Sequence, residues 1–93
     1  MERYLLERIT DAADLPDEPA PGLPLVEIAG DRRVLVEHHC GVTEYGRQRI
    51  SIKVKYGCVT VTGQRLELTR MTREQLIITG CIDCVSLERR RRQ

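Results

Sequence analysis

The sequence predicts a mainly β protein. The expected form is an antiparallel β-meander of about eight short strands, curled into a bent sheet, sandwich or small barrel-like body, with a short N-terminal α-helix in front. Three observations predict it. Apolar and polar residues alternate with period two through the body of the chain, as in half-buried strands. Two-residue connections containing Gly separate the alternating runs, as in tight hairpins. The apolar residues available for a core are ten Leu, eight Val and seven Ile, with no Phe or Trp.

The elements follow in order. Leu5, Leu6 and Ile9 fall at helical spacing and Ala13 continues the stripe, which predicts an amphipathic helix. Pro16 limits it, because a residue before proline is pushed out of the α region. Pro16, Pro19, Pro21 and Pro24 make the next stretch a linker or an extended arm, so residues 1–24 form one unit. The β domain is expected over 25–88, with strands near 26–29, 33–38, 42–45, 48–55, 58–62, 65–70, 75–79 and 82–88. Residues 89–93 form a basic tail. A weak repeat runs through the body: Gly30-Asp-Arg-Arg33, Gly46-Arg-Gln-Arg49 and Gly63-Gln-Arg65, with Gly80-Cys-Ile82 as a fourth copy. Its 16-residue period suits one hairpin per repeat, and β-solenoid stacking is the alternative. Apolar parity slips between Ile82 and Val85, which predicts a β-bulge near Asp83-Cys84.

Charge and composition narrow the function. The net charge is +1, and three Tyr are the only aromatics. A near-neutral, aromatic-poor chain is no general nucleic-acid binder. Of the 93 residues, no apolar run approaches a membrane span, and residues 1–14 lack a secretory h-region, so a cytosolic location is expected. The charges are polarised. Residues 1–24 carry six acids and two Arg, whereas Arg89, Arg90, Arg91 and Arg92 end the chain. That polybasic run is either a solvated tail or a weak contact for an anionic membrane or an acidic partner.

The chemistry-bearing residues each have a bland reading. Cys81-Ile82-Asp83-Cys84 is a CxxC, half of a zinc site or a redox pair. On a regular strand its cysteines face opposite ways, and no second CxxC accompanies it, so structural thiols are expected and no cofactor. Glu37-His38-His39 places a carboxylate beside imidazoles, the raw material of acid–base work. No nucleophile or oxyanion donor accompanies them, so polar side chains securing a turn, and no enzyme, are expected.

The stretch Val34 to Tyr45 resembles the signature of the YabP/YqfC family of sporulation proteins, through Glu37, His39, Gly41, Val42 and Tyr45. His38 stands where that family has Asn, and Cys40 where a basic residue is common. The likeness continues through the strand Arg49 to Lys55, Gly57, Val59 to Leu68, and Leu76 to Leu87, where Leu87 replaces an aromatic. Asp14 to Pro16 and Leu23-Pro24 are closer to the YqfC branch. The resemblance implies a small non-enzymatic module of endospore formation in the mother cell, cytoplasmic and peripheral at the forespore membrane. It implies a protein partner, a co-encoded membrane-bound sporulation protein; the small core independently leaves room for self-association, and the polybasic run for weak anionic-membrane contact. The resemblance makes Glu37, His39, Gly41 and Tyr45 fold or interface determinants. The competing reading is a zinc- or redox-responsive module using Cys81 and Cys84.

Overall fold

The computed structural model describes residues 22–90. The expected N-terminal helix and most of the proline arm lie outside them. Six strands form one antiparallel sheet: β1 (Leu25–Ala29), β2 (Arg33–Glu37), β3 (His39–Tyr45), β4 (Arg49–Val54), β5 (Gly57–Met71) and β6 (Gln75–Arg89). Their order is β1-β2-β6-β5-β4-β3, and the sheet is open. Every neighbouring pair is antiparallel. The order is not a simple meander. The β1-β2 hairpin flanks one side of the long β5-β6 ribbon, and the β3-β4 hairpin flanks the other.

The strand count differs from the expectation for one reason. The signals at Gly63-Gln64 and Gly80 are not turns but bends inside 15-residue strands. Register shifts fall at Thr62/Gly63, Gln64/Glu67 and Leu68/Arg70. At the second shift Arg65 takes a left-handed φ of 56° and is the extra residue of a bulge. Apolar parity on β5 changes there, from Val59 and Val61 to Leu66 and Leu68. On β6 the unpaired residue is Asp83, since Gly63 pairs with Ile82 and Thr62 with Cys84. The parity slip in the sequence marks this bulge.

Gly63 is required at its position. A Cβ on it would collide with the Cys81 carbonyl oxygen and lie 3.0 Å from the Cys81 carbonyl carbon and 3.2 Å from the Asp83 nitrogen. The two strands approach closely where the ribbon bends, and only a residue without a side chain fits between them.

The 16-residue repeat has a structural counterpart. The Ile82 and Gly80 amides donate to the Asp31 and Arg32 carbonyls at 2.7 and 3.2 Å. Correspondingly, the Leu66 and Gly63 amides donate to the Arg47 and Gln48 carbonyls at 2.8 and 3.1 Å. Each short turn before a repeat Arg therefore seats in the bulged middle of a long strand, β6 for the first copy and β5 for the second. The sheet has pseudo-two-fold symmetry about the ribbon, and backbone amides freed by the bulges find acceptors in those turns.

Bending curls the sheet over one core. A straight 15-residue strand would span roughly 50 Å. Yet His39 pairs with Val54, the neighbour of Gly57 at the start of β5, and also bonds the Thr72 carbonyl just past its end. Both ends of β5 thus meet at one corner. The concave face carries Val34, Val36, Ile50, Ile52, Val59, Val61, Leu66, Leu76 and Ile78, all fully buried. Val26, Val42, Leu68 and Val85 pack against them. On the other face of β4, buried Ser51 and Thr60 bond each other at 3.3 Å, which satisfies two hydroxyls removed from water.

The two edges differ. β3 carries two register shifts against β4 and the Arg49–Glu44 ion pair at 3.1 Å. Bulges and charge of this kind discourage strand addition. β1 pairs with β2 in unbroken register and exposes Leu25 and Ile28.

Candidate functional site

Glu37, His38 and His39 occupy the corner where β2 passes into β3. His38 alone makes the connection, with a left-handed φ of 64°. That one residue suffices because the curl brings the end of β2 beside the start of β3.

Three consecutive residues grip the β5–β6 loop from this corner. Gln75 donates from Nε2 to Glu37 Oε2 at 3.2 Å. The His38 amide donates to the Glu74 carbonyl at 2.6 Å. His39 Nε2 donates to the Thr72 carbonyl at 2.8 Å, and His39 Nδ1 accepts from the Gly41 amide at 3.0 Å. A carbonyl can only accept and an amide only donate, so the imidazole is neutral with its hydrogen on Nε2. The loop is secured internally as well: Gln75 donates its amide to Thr72 Oγ1 at 3.0 Å, and the Thr72 amide donates to the Gln75 carbonyl at 2.7 Å. Both nitrogens of His39 are occupied and Glu37 is half-buried against Gln75. The arrangement fixes backbone.

Gly41 has φ +118°, a region L side chains rarely adopt, with open space around it. It lies in the bulge between His39 and Val42, which begins β3 three residues earlier than the alternation suggested. Tyr45 stands apart from the corner, at the far end of β3 opposite Ile50 and 61% exposed.

The cysteines sit differently from the sequence expectation. Thr62 and Gln64 are two apart on an unbroken stretch of β5 and share a face. Their partners are Cys84 and Cys81, so the Asp83 bulge turns both cysteines to the same convex face rather than to opposite ones. All four cysteines are free thiols, Cys84 and Cys40 exposed, Cys58 and Cys81 half-buried. Among the described residues no group of three or more His, Cys, Asp or Glu is arranged to hold a metal ion.

Of the basic run, Arg89 is the last residue of β6, paired with Gly57, and the Arg90 amide donates to the Tyr56 carbonyl at 2.6 Å. Arg91 and Arg92 lie outside the described residues. The β domain thus reaches Arg89. Arg89 and Arg90 are held on the folded body, beside a surface that sequence reasoning passed over. Leu23, Pro24, Lys55, Tyr56, Leu87 and Arg89 line an open groove of about 460 Å³. Lys53, Cys58, Glu88, Arg89 and Arg90 line a smaller hollow of about 310 Å³ next to it. Leu87 is 67% exposed and Tyr56 49%, and the Lys55 ammonium lies 5.4 Å from the Tyr56 ring centroid. The available signal was Leu87 itself, a large apolar residue within two positions of the arginine run.

The model of the YabP family matches residues 24–93. Among curated proteins, the uncharacterized protein YqfC of Bacillus subtilis strain 168 is 22% identical over 77 residues, covering 83% of each chain. No solved structure matches. No helix among the described residues is long and apolar enough to cross a membrane.

Proposed function

We propose, from the premise that the chain belongs to the YabP family, that it is a non-enzymatic interaction module of endospore formation. It acts in the mother cell, at the cytoplasmic face of the forespore envelope, by binding a membrane-bound protein partner. The observation that carries the binding role is the corner at Leu87. An apolar side chain two-thirds exposed shares a groove with Tyr56, Lys55 and Arg89, and Lys53 and Arg90 line the hollow next to it. Apolar anchors within a basic rim suit an acidic partner surface at an anionic membrane. The chemistry-bearing residues of the signature support a non-catalytic role, because both ring nitrogens of His39 and one carboxylate oxygen of Glu37 are taken up by hydrogen bonds within the corner, to Thr72, Gly41 and Gln75.

The test is microscopy of a fluorescent fusion through sporulation of the native host. The expected result is a signal that begins after sporulation starts and forms a ring at the forespore. Expression in growing, non-sporulating cells, or a signal spread evenly through the mother cell, contradicts the proposal.

A further inference from the structure

We propose, resting on the binding role given to the Leu87 corner, that the partner arrives there as an added β-strand. An extended acidic segment pairs with the outer edge of β6 over residues 84–89.

Only the first part of β6 has strands on both sides. Leu76 to Thr79 pair with β2 and with the end of β5. The Gly80 and Ile82 amides then donate to the turn before β2. From Cys84 onward, among the described residues, β6 pairs with β5 alone. One bond fixes the direction of its backbone groups. The Arg90 amide donates to the Tyr56 carbonyl at 2.6 Å, and the adjacent pair is Arg89 with Gly57. Hydrogen-bonded and non-hydrogen-bonded pairs alternate along an antiparallel ladder. Glu88, Ser86 and Cys84 therefore turn their N–H and C=O toward β5, and Arg89, Leu87 and Val85 turn theirs outward. The Glu88 carbonyl does face β5, because a Cβ on Gly57 would strike it. A regular row of outward amides and carbonyls is a template for another strand.

Of the sheet's edges, this one suits an acidic segment. β3 is interrupted by two register shifts, and the outer side of β5 beyond Leu66 by another at Leu68/Arg70. β1 is regular, but its five residues hold one acid, Glu27, and no base. On β6 the ladder from Cys84 to Arg89 is unbroken. Arg89 and Arg90 stand at its end, with Lys53 in the hollow and Lys55 in the groove, against one acid, Glu88. Val85 and Leu87 share a face of the strand, opposite Val61 and Val59. The segment that fits is apolar level with Val85 and Leu87 and acidic level with Arg89 and Arg90. The groove of about 460 Å³ beside Leu87 gives its side chains room.

The probe is an acetylated octapeptide, three acids followed by threonine and valine in alternation, added to the full chain. Amide exchange is read residue by residue by NMR. Without peptide, the Cys84, Ser86 and Glu88 amides are expected to be protected, and those of Val85, Leu87 and Arg89 to exchange fast. Saturating peptide should slow the latter three about ten-fold. The same peptide N-methylated throughout keeps its side chains but lacks its donors. It should bind about ten-fold more weakly, as should a version with lysines in place of the acids. Protection of Leu87 and Arg89 before peptide is added, exchange unchanged by peptide, or equal binding by the N-methylated or lysine version overturns strand addition. The forespore microscopy tests the binding role separately, so loss of the ladder and loss of the role read differently.

Discussion

Gly63→Ala is expected to destabilise the domain severely although it adds one methyl group. The added Cβ would overlap the Cys81 carbonyl oxygen, and the next nearest atoms, the Cys81 carbonyl carbon and the Asp83 nitrogen, are also backbone. No side chain can rotate away, so β5 and β6 must separate where the ribbon bends. Separation loosens the Gly63–Ile82 pairing and the bond from the Gly63 amide to the Gln48 carbonyl. Hydrogen bonds of this kind contribute about 1 kcal/mol each. The shift also pulls Ile82 and Leu66 out of close packing, and partial loss of packing around such residues costs about 1–2 kcal/mol more. The sum is about 3 kcal/mol, against a total stability of about 4–10 kcal/mol for a domain of this size. Urea unfolding followed by circular dichroism reads it as a fall of about 2 M in midpoint, for a slope of about 1–1.5 kcal/mol/M. Gly46→Ala is the control. Its Cβ would sit 3.5 Å from the Arg49 carbonyl, an ordinary contact, at a φ open to any residue. It should stay within about 0.5 kcal/mol of the parent. A Gly63→Ala midpoint as close to the parent as that of Gly46→Ala would refute the bent-ribbon reasoning.

Other outcomes follow from the same geometry. His39→Ala removes two hydrogen bonds and should cost about 1–2 kcal/mol, with the Gly41 amide exchanging with deuterium measurably faster; unchanged Gly41 exchange would contradict the assigned bond. Glu37→Ala and Gln75→Ala should show a coupling of about 0.5–1 kcal/mol in a double-mutant cycle, and strictly additive effects would remove the Glu37–Gln75 contact. Cys84 is exposed and Cys81 half-buried, so a thiol reagent should label Cys84 before Cys81. With two thiols and, among the described residues, no group of three ligands around them, a chelator should leave the melting midpoint unchanged; stoichiometric zinc in the purified protein would revive the metal reading.

Particular residues show what the sequence made legible. The alternation of Ile50, Ile52 and Val54, and of Val59 and Val61, is visible without the structure, and all five are core. So is the bulge at Asp83, because a parity slip in a strand has few other causes. The bends at Gly63 and Gly80 were misread because a glycine that turns the chain and one that admits a passing strand look the same locally. Only the facing strand, which the chain reaches some 18 residues later in the case of Cys81, separates the two. The grip of His39 on Thr72 spans 33 residues and depends on the curl, so no local pattern could reveal it. The groove at Leu87 was hidden for a similar reason. Leu23, Lys55, Tyr56 and Leu87 come together only when both hairpins fold against the ribbon.

The binding role is tested most directly by comparing two variants of the fluorescent fusion at the forespore. Leu87→Ser with Arg89→Ser and Arg90→Ser alters the proposed contact surface at three exposed positions, while His39→Ala weakens the fold elsewhere. The triple variant is expected to accumulate to the parent's level but to spread through the mother cell, whereas His39→Ala is expected to form a ring in proportion to the folded protein that remains. A triple variant that still forms a full ring would contradict the assignment of binding to this corner.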